Sequence, residues 1–278
     1  MITNMDQIVD AMANSNSRSN LEKSSIANTV AGGYFSLWRA LGYPGQGAIP
    51  TTAAIPTHAT LGTFSFAQQT APDTSYLGLL EGISINAGQA LEIHDRLMHM
   101  GGLVGNITTP QTVDLDVHTN IGTSNLDARK GDADYSDIQW WMEWYTDTGA
   151  TASNATINVT FNDASSANLT VQAVGGTVRA SRMFPLNSLI ASADQGKYIR
   201  DINDVTLSAS TGTAGNFGFT ATRYRGSVYC PAGNVRFNST WSEMNLPEIF
   251  NSSCLFPITI ASTTSTGIWR GAVKIIHG

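Results

Sequence analysis

Charge is scarce in this chain. Asp, Glu, Lys and Arg make up 13% of its 278 residues, against roughly 25% in an ordinary soluble domain. Lysine is scarcer still: four occur beside eleven arginines, a bias toward planar, multi-donor contacts. The net charge is −6 and there is no Lys/Arg cluster; Arg179, Arg182, Arg223 and Arg225 come nearest to one. A nucleic-acid-binding face has to be basic, so no nucleic-acid partner is expected. No run comes near the roughly eighteen apolar residues of a membrane-spanning helix, and no membrane is expected either. The opening MITNMDQIVDAMANSNSRS has neither a basic n-region nor an apolar h-region. It does not read as a secretory signal, and synthesis in a cytoplasm is the expectation. Only two cysteines occur, Cys230 and Cys254, with no CxxC. Free thiols are therefore expected and a zinc site is not. Nucleophile-elbow, HExxH, P-loop and dinucleotide fingerprints are all missing, so nothing argues for an enzyme or a cofactor.

Ser, Thr and Asn take the place of charge, with 26, 31 and 20 residues against 36 charged ones. A surface kept wet by hydroxyls and amides repels its neighbours little, which suits subunits that pack against copies of themselves. A homo-oligomer is expected, a trimer ahead of a dimer.

From about residue 60 the hydrophobic period is two. TVDLDVH sets Val113, Leu115 and Val117 against Asp114, Asp116 and His118. ATINVTF, NLTVQAV, DVTLSAS, NFGFTATRY, LFPITI and IWRGAVKII follow the same rule, with Gly, Asn, Asp and Ser between them. Ten to twelve short strands of this kind predict a mainly β protein of β-sandwich or jelly-roll type. In DIQWWMEWYTD both faces carry aromatics, Trp140 and Trp144 on one and Trp141 and Tyr145 on the other. That predicts a central strand with both faces covered. The other reading of Trp141 and Tyr145 is a platform for sugar rings, as in a lectin-like sandwich.

The first 60 residues read differently. Met5, Ile8, Val9 and Met12 fall at helical spacing, and so do Tyr34, Leu37, Trp38 and Leu41, which Gly42 closes. NSNSRSN, residues 14–20, reads as flexible. Pro44, Pro50 and Pro56 then hold the chain extended. The expected organisation is an N-terminal arm over 1–60, with one or two short helices, and a β domain over 61–278 whose lobes divide near 128–136. The arm would dock on a partner through Tyr34, Phe35, Leu37, Trp38, Tyr43 and Pro44.

Two clusters carry side chains of metal-ligating type. In LEIHDRLMHM, Glu92, His94 and Arg96 share a strand face while Asp95 and His99 take the other, so the histidines diverge and no metal is expected. Arg96 is expected to pair with Glu92, or His94 to stack on a neighbour. Asp116, Asp127, Asp132, Asp134 and Asp137 crowd one loop, but without the ordered spacing of a calcium loop; a solvated acidic turn is expected.

Three stretches carry a resemblance. GLLEGISINAGQALEIHDRLMHMGGLVGNITTPQTVDL, MFPLN and KYIRDINDVTLSASTGTAGNFGFTATR together span about residues 77–117 and 180–225. They resemble segments of uncharacterised virion proteins of tailed bacteriophages. The resemblance implies a non-enzymatic virion component and assigns no functional residue. With the arm and the charge-poor surface, it leads to the expectation of a capsid decoration or cement protein. Its partner would be the major capsid protein or another virion protein.

Overall fold

Most of the alternating stretches form strands, although NLTVQAV is strand only at Asn168 and Gln172–Ala173. The computed structural model describes residues 1–14, 17–176 and 179–278. Strand accounts for 43% of residues and helix for 9%, so the protein is mainly β, as its periodicity predicts. In chain order, helix α1 (Met5–Asn14) is followed by β1 (Ser17–Lys23), β2 (Tyr34–Ser36), β3 (Gly42–Tyr43), β4 (Ser75–Ser84) and β5 (Gln89–Leu103). Next come β6 (Gln111–Asp116), α2 (Leu126–Lys130), β7 (Gln139–Thr146), β8 (Asn154–Phe161), β9 (Ser166–Asn168), β10 (Gln172–Ala173) and β11 (Arg182–Pro185). The chain ends with β12 (Ile199–Leu207), β13 (Asn216–Cys230), β14 (Arg236–Thr240), β15 (Glu248–Ile249), β16 (Leu255–Ile260) and β17 (Trp269–His277).

Two compact units divide the chain, and not at the expected places. Unit 1 comprises Met1–Ala48, Thr57–Asp95 and Tyr224–Gly278; unit 2 comprises Ile49–Pro56 and Arg96–Arg223. The chain passes from one unit to the other midway along β5 and returns midway along β13, while residues 128–136 lie inside unit 2. Continuous strands carry no turn signal, which is why composition does not mark these boundaries.

Unit 1 contains a six-stranded sheet in the order β14-β4-β17-β1-β3, with β15 also on β4. A second set places β16 between β2 and the Ala90–Asp95 half of β5. Its core gathers Leu21, Leu37, Phe64, Leu80, Ile93 and Trp269. Unit 2 has a five-stranded sheet, β10-β8-β12-β6 with β9 on β8, and a second set in which β7 lies between β11 and the Asn216–Thr222 half of β13. Its separate core includes Leu115, Trp140, Trp144, Ile157, Ile202 and Phe219. In β8, Ala155, Ile157, Val159 and Phe161 alternate inward without a break. In β12 the period slips, because bulges fall between Ile199 and Asp201 and between Ile202 and Asp204, each adding an unpaired residue. On β7, Trp141, Glu143 and Tyr145 are buried as fully as Trp140, Met142 and Trp144, so both faces of that strand are covered.

The N-terminal 60 residues do not form an arm. Asn4 caps α1 through a bond from the Gln7 N–H (3.0 Å), and the helix buries Ile8 and Ala11 while Met5 and Val9 are exposed. Of the stretch read as flexible, Ser17–Asn20 belongs to β1, paired with β17 along its whole length; residues 15–16 lie outside the described residues. The helix expected around Trp38 is instead strand β2 followed by a turn, because Tyr34, Phe35 and Ser36 pair with Ile260, Thr259 and Ile258. A tertiary partner for the backbone outweighs the weak local preference for helix. The proline-rich piece is anchored in unit 2: Ala54 and His99 exchange both backbone hydrogen bonds at 3.0 Å, and the Gly101 N–H bonds to Pro50 O.

Candidate interaction surface

Most of the residues expected to dock on a partner are already used inside unit 1. Phe35, Leu37 and Trp38 are buried, Pro44 is buried and Tyr34 is half-buried. The Trp38 ring stands edge-on to Phe256 at 5.9 Å between centroids, and its Nε1 donates to Ala48 O at 2.8 Å. It fits because two neighbours have no side chain: a Cβ at Gly47 would come within 1.8 Å of the ring and one at Gly62 within 2.7 Å. These aromatics are core, which corrects the docking role expected of them.

Lys23 holds the same turn from below. Its side chain is buried, and its ammonium donates to the carbonyls of Ala40 (3.1 Å), Pro44 (2.5 Å) and Gly45 (3.4 Å). Burial pulls its pKa down to about 8. Three donors meet three acceptors, so the charge stays satisfied without a carboxylate. The turn is thereby fixed with Leu41 and Tyr43 outside, exposed to 63% and 43%. Leu61, next to Gly62 over the Trp38 ring, is exposed to 73%.

This turn also leaves a sheet edge open. The Ser24 N–H donates to Leu41 O, and Glu22 pairs with Tyr43, so the even-numbered residues of β1 direct their backbone groups away from β17. Strand β3 ends at Tyr43, and Pro44 follows. Among the described residues, no backbone partner meets the outward N–H and C=O groups of Arg18 and Asn20. Beside them lies a groove of about 420 Å³ lined by Arg18, Asn20, Glu22, Tyr43, Arg270 and Gly271. An unpaired edge is a template for another strand.

Unit 2 has a different polar feature, closed to solvent. Arg96 grips Glu143 with two bonds of 2.9 Å, and Glu143 also accepts from Thr220 Oγ1 (2.6 Å) and the Tyr145 hydroxyl (3.2 Å). Arg96 Nη1 donates to His99 Nδ1 at 3.0 Å, so His99 is neutral with its proton on Nε2. Burial, and secondly the Arg96 charge, hold its pKa well below the usual imidazole value. Arg96 therefore pairs with Glu143 and not with Glu92. His94 bonds to Glu92 at 3.0 Å and stands edge-on to Tyr224, as the stacking alternative has it. Trp141 is buried with its Nε1 on Thr222 Oγ1, and Tyr145 is buried in the Arg96 centre. Neither can present a face to a sugar, which corrects the platform expected of them.

The acidic loop splits up. Asp127 pairs with Lys130 and Asp137 with Arg223, while Asp134 accepts from the Ser136 N–H. Among the described residues no three metal-ligating side chains gather. Asp116 lies opposite Asp201 in the β6–β12 ladder, and their carboxyls share a hydrogen bond. Nothing in the local sequence couples residues 85 positions apart. Burial pushes the Asp201 pKa up to about 6, while bonds from Thr119 and from Asp201 lower that of Asp116 despite its burial. Below about pH 6 the shared proton therefore sits on Asp201 rather than on Asp116. A raised carboxyl pKa contributes stability below the unfolded value near 3.8, and that contribution is lost as pH rises through about 6. Asp201→Asn should therefore flatten the fall in stability between pH 4 and 6 and raise stability at pH 7.5 by about 1–3 kcal/mol. Urea midpoints at the three pH values check this; an unchanged slope would show that the pair does not share a proton.

No family model matches this chain, and no curated protein does. Among solved structures, the VP2 subviral particle of infectious bursal disease virus aligns with 94% of this chain and 78% of that chain, at 10% identity and a TM-score of 0.17. The Gt strain of the same virus aligns with 94% of this chain and 80% of that one, at 9% identity and a TM-score of 0.15. Alignments this loose carry no argument about fold or function.

Proposed function

We propose that this chain is a non-enzymatic structural protein of a viral particle. The observation that carries the proposal is the turn over Trp38, which holds Leu41 and Tyr43 out beside an open sheet edge in a chain with few charges. Exposed apolar side chains on a braced element are what subunit contacts are built from. The buried Arg96 and Glu143 of unit 2 bond to each other, which favours a structural role for that centre. The resemblance of residues 77–117 and 180–225 to tailed-phage virion proteins supports reading that particle as a bacteriophage. Within it, the role is that of a decoration or cement protein bound to the major capsid protein or another virion protein.

Particles that retain the chain should survive heating and low ionic strength better than particles stripped of it. Adding back purified protein should restore the difference, and adding back a Leu41→Ser/Tyr43→Ser variant should not. Equal resistance of stripped and intact particles would refute the cement role. Absence of the chain from purified particles would refute the virion assignment.

A further inference from the structure

We propose that the Asp116–Asp201 pair is a proton-operated catch on the turn of residues 118–125, closed while the two carboxyls share a proton and loosened once both are charged. The pair sits where that turn leaves the sheet. Asp116 ends β6 and faces Asp201 of β12 in the ladder, so backbone pairing keeps the two carboxyls close. Each carboxyl also holds the turn. The Thr119 N–H donates to Asp116 Oδ1 at 2.8 Å, and the His118 N–H donates to Asp201 Oδ1 at 3.4 Å. Asn120 Nδ2 donates to Asp116 O at 2.8 Å, and His118 Nδ1 lies 2.8 Å from the Tyr135 hydroxyl. The buried Val117 and Leu126 anchor the two ends of the turn, while most of what lies between them is exposed. Within it, Ser124 and Asn125 hold φ at 49° and 54°, a left-handed conformation that costs free energy in a residue with a Cβ.

Charging both carboxyls leaves them side by side with one adjacent cation, Arg200, whose Nε donates to Asp201 at 2.7 Å. Across Asp201 on β8 stands Thr160, which brings no charge. His118 and Tyr135 face the pair from the segment between β6 and β7, with Asp127 and Lys130 beyond Tyr135. Asp114 and Asp204 are the next acids along the two strands. Asp201 is buried and held by Arg200, whereas Asp116 is only half-buried. Repulsion between the carboxylates therefore turns Asp116 outward to water, and the Thr119 N–H loses its acceptor. Protonating one carboxyl removes the repulsion and supplies a donor between them.

Amide exchange in the full-length chain, corrected for the intrinsic effect of pH, tests this. Asp201 titrates near 6 with the catch closed and near 3.8 once released. Protection of the Thr119 amide should therefore fall about tenfold between pH 5 and pH 7.5. The Ile157 and Val159 amides of β8 report opening of the whole unit and should change much less. In Asp201→Asn the fall should vanish, because the amide cannot charge and can still donate to Asp116. Asp116→Asn should abolish it from the other side, and if one variant does not fold the other decides. Equal Thr119 protection at the two pH values overturns the catch. A fall matched at Ile157 and Val159 overturns it too, since the whole unit then opens. So does a fall that survives the substitutions, which would belong to another group such as His118.

Discussion

Glu143→Ala is expected to lower the stability of unit 2 by about 3–5 kcal/mol, because it strands the Arg96 charge in a site closed to water. Both side chains of the pair are at most 1% exposed. The guanidinium would lose both 2.9 Å bonds, and Thr220 and Tyr145 would lose their acceptor. Water cannot replace Glu143 without opening β7, whose tryptophans fill the adjoining core. Arg96→Met combined with Glu143→Leu should cost much less, since no charge is then left behind. Guanidinium-induced unfolding followed by tryptophan fluorescence reads the difference. A loss under about 1 kcal/mol for Glu143→Ala would mean that the pair is solvated, as exposed pairs are.

Trp38→Ala should cost unit 1 a similar amount, about 3–5 kcal/mol, as expected for emptying a fully buried indole site. The ring is 0% exposed, and the Gly47 and Gly62 backbones against it cannot grow side chains to refill the space. Deleting residues 1–56 should have a larger effect still. It removes both β1 and β3 from the sheet beside β17, takes β2 from β16 and strips the Ala54 bridge from His99. The truncated chain should lose cooperative thermal unfolding and near-ultraviolet dichroism. Leu41→Ser/Tyr43→Ser should keep both, because those side chains lie outside the core. A truncated chain that folds would return this segment to the role of a separable arm.

The contrast between Trp38 and Tyr43 shows how far the sequence reaches. Both sit in one aromatic stretch that stands out by composition, and both read equally well as docking residues. What separates them is a turn whose geometry depends on Lys23, fifteen residues before Trp38, and on Gly62, twenty-four residues after it. Side-chain chemistry marks a residue as able to bury itself. Only the fold decides whether it does so against its own chain or against another.

The sequence by itself determined the mainly β class, the inward faces of β6 and β8, the covered centrality of β7 and the scarcity of surface charge. Each follows from a period of two or from a count, and these are local properties of the chain. Tertiary structure decided the rest. Arg96 chose Glu143 over Glu92 because β7 brings a buried carboxylate to it from 47 positions away. Asp116 met Asp201 through strand register, and the units divided in the middle of β5 and β13, where no turn residue could mark the place. The open edge of β1 also belongs to the fold, since it exists only because β3 stops at Tyr43. Pairing between distant segments is set by which backbone groups remain unsatisfied after all the others are placed, and a local pattern carries no record of that.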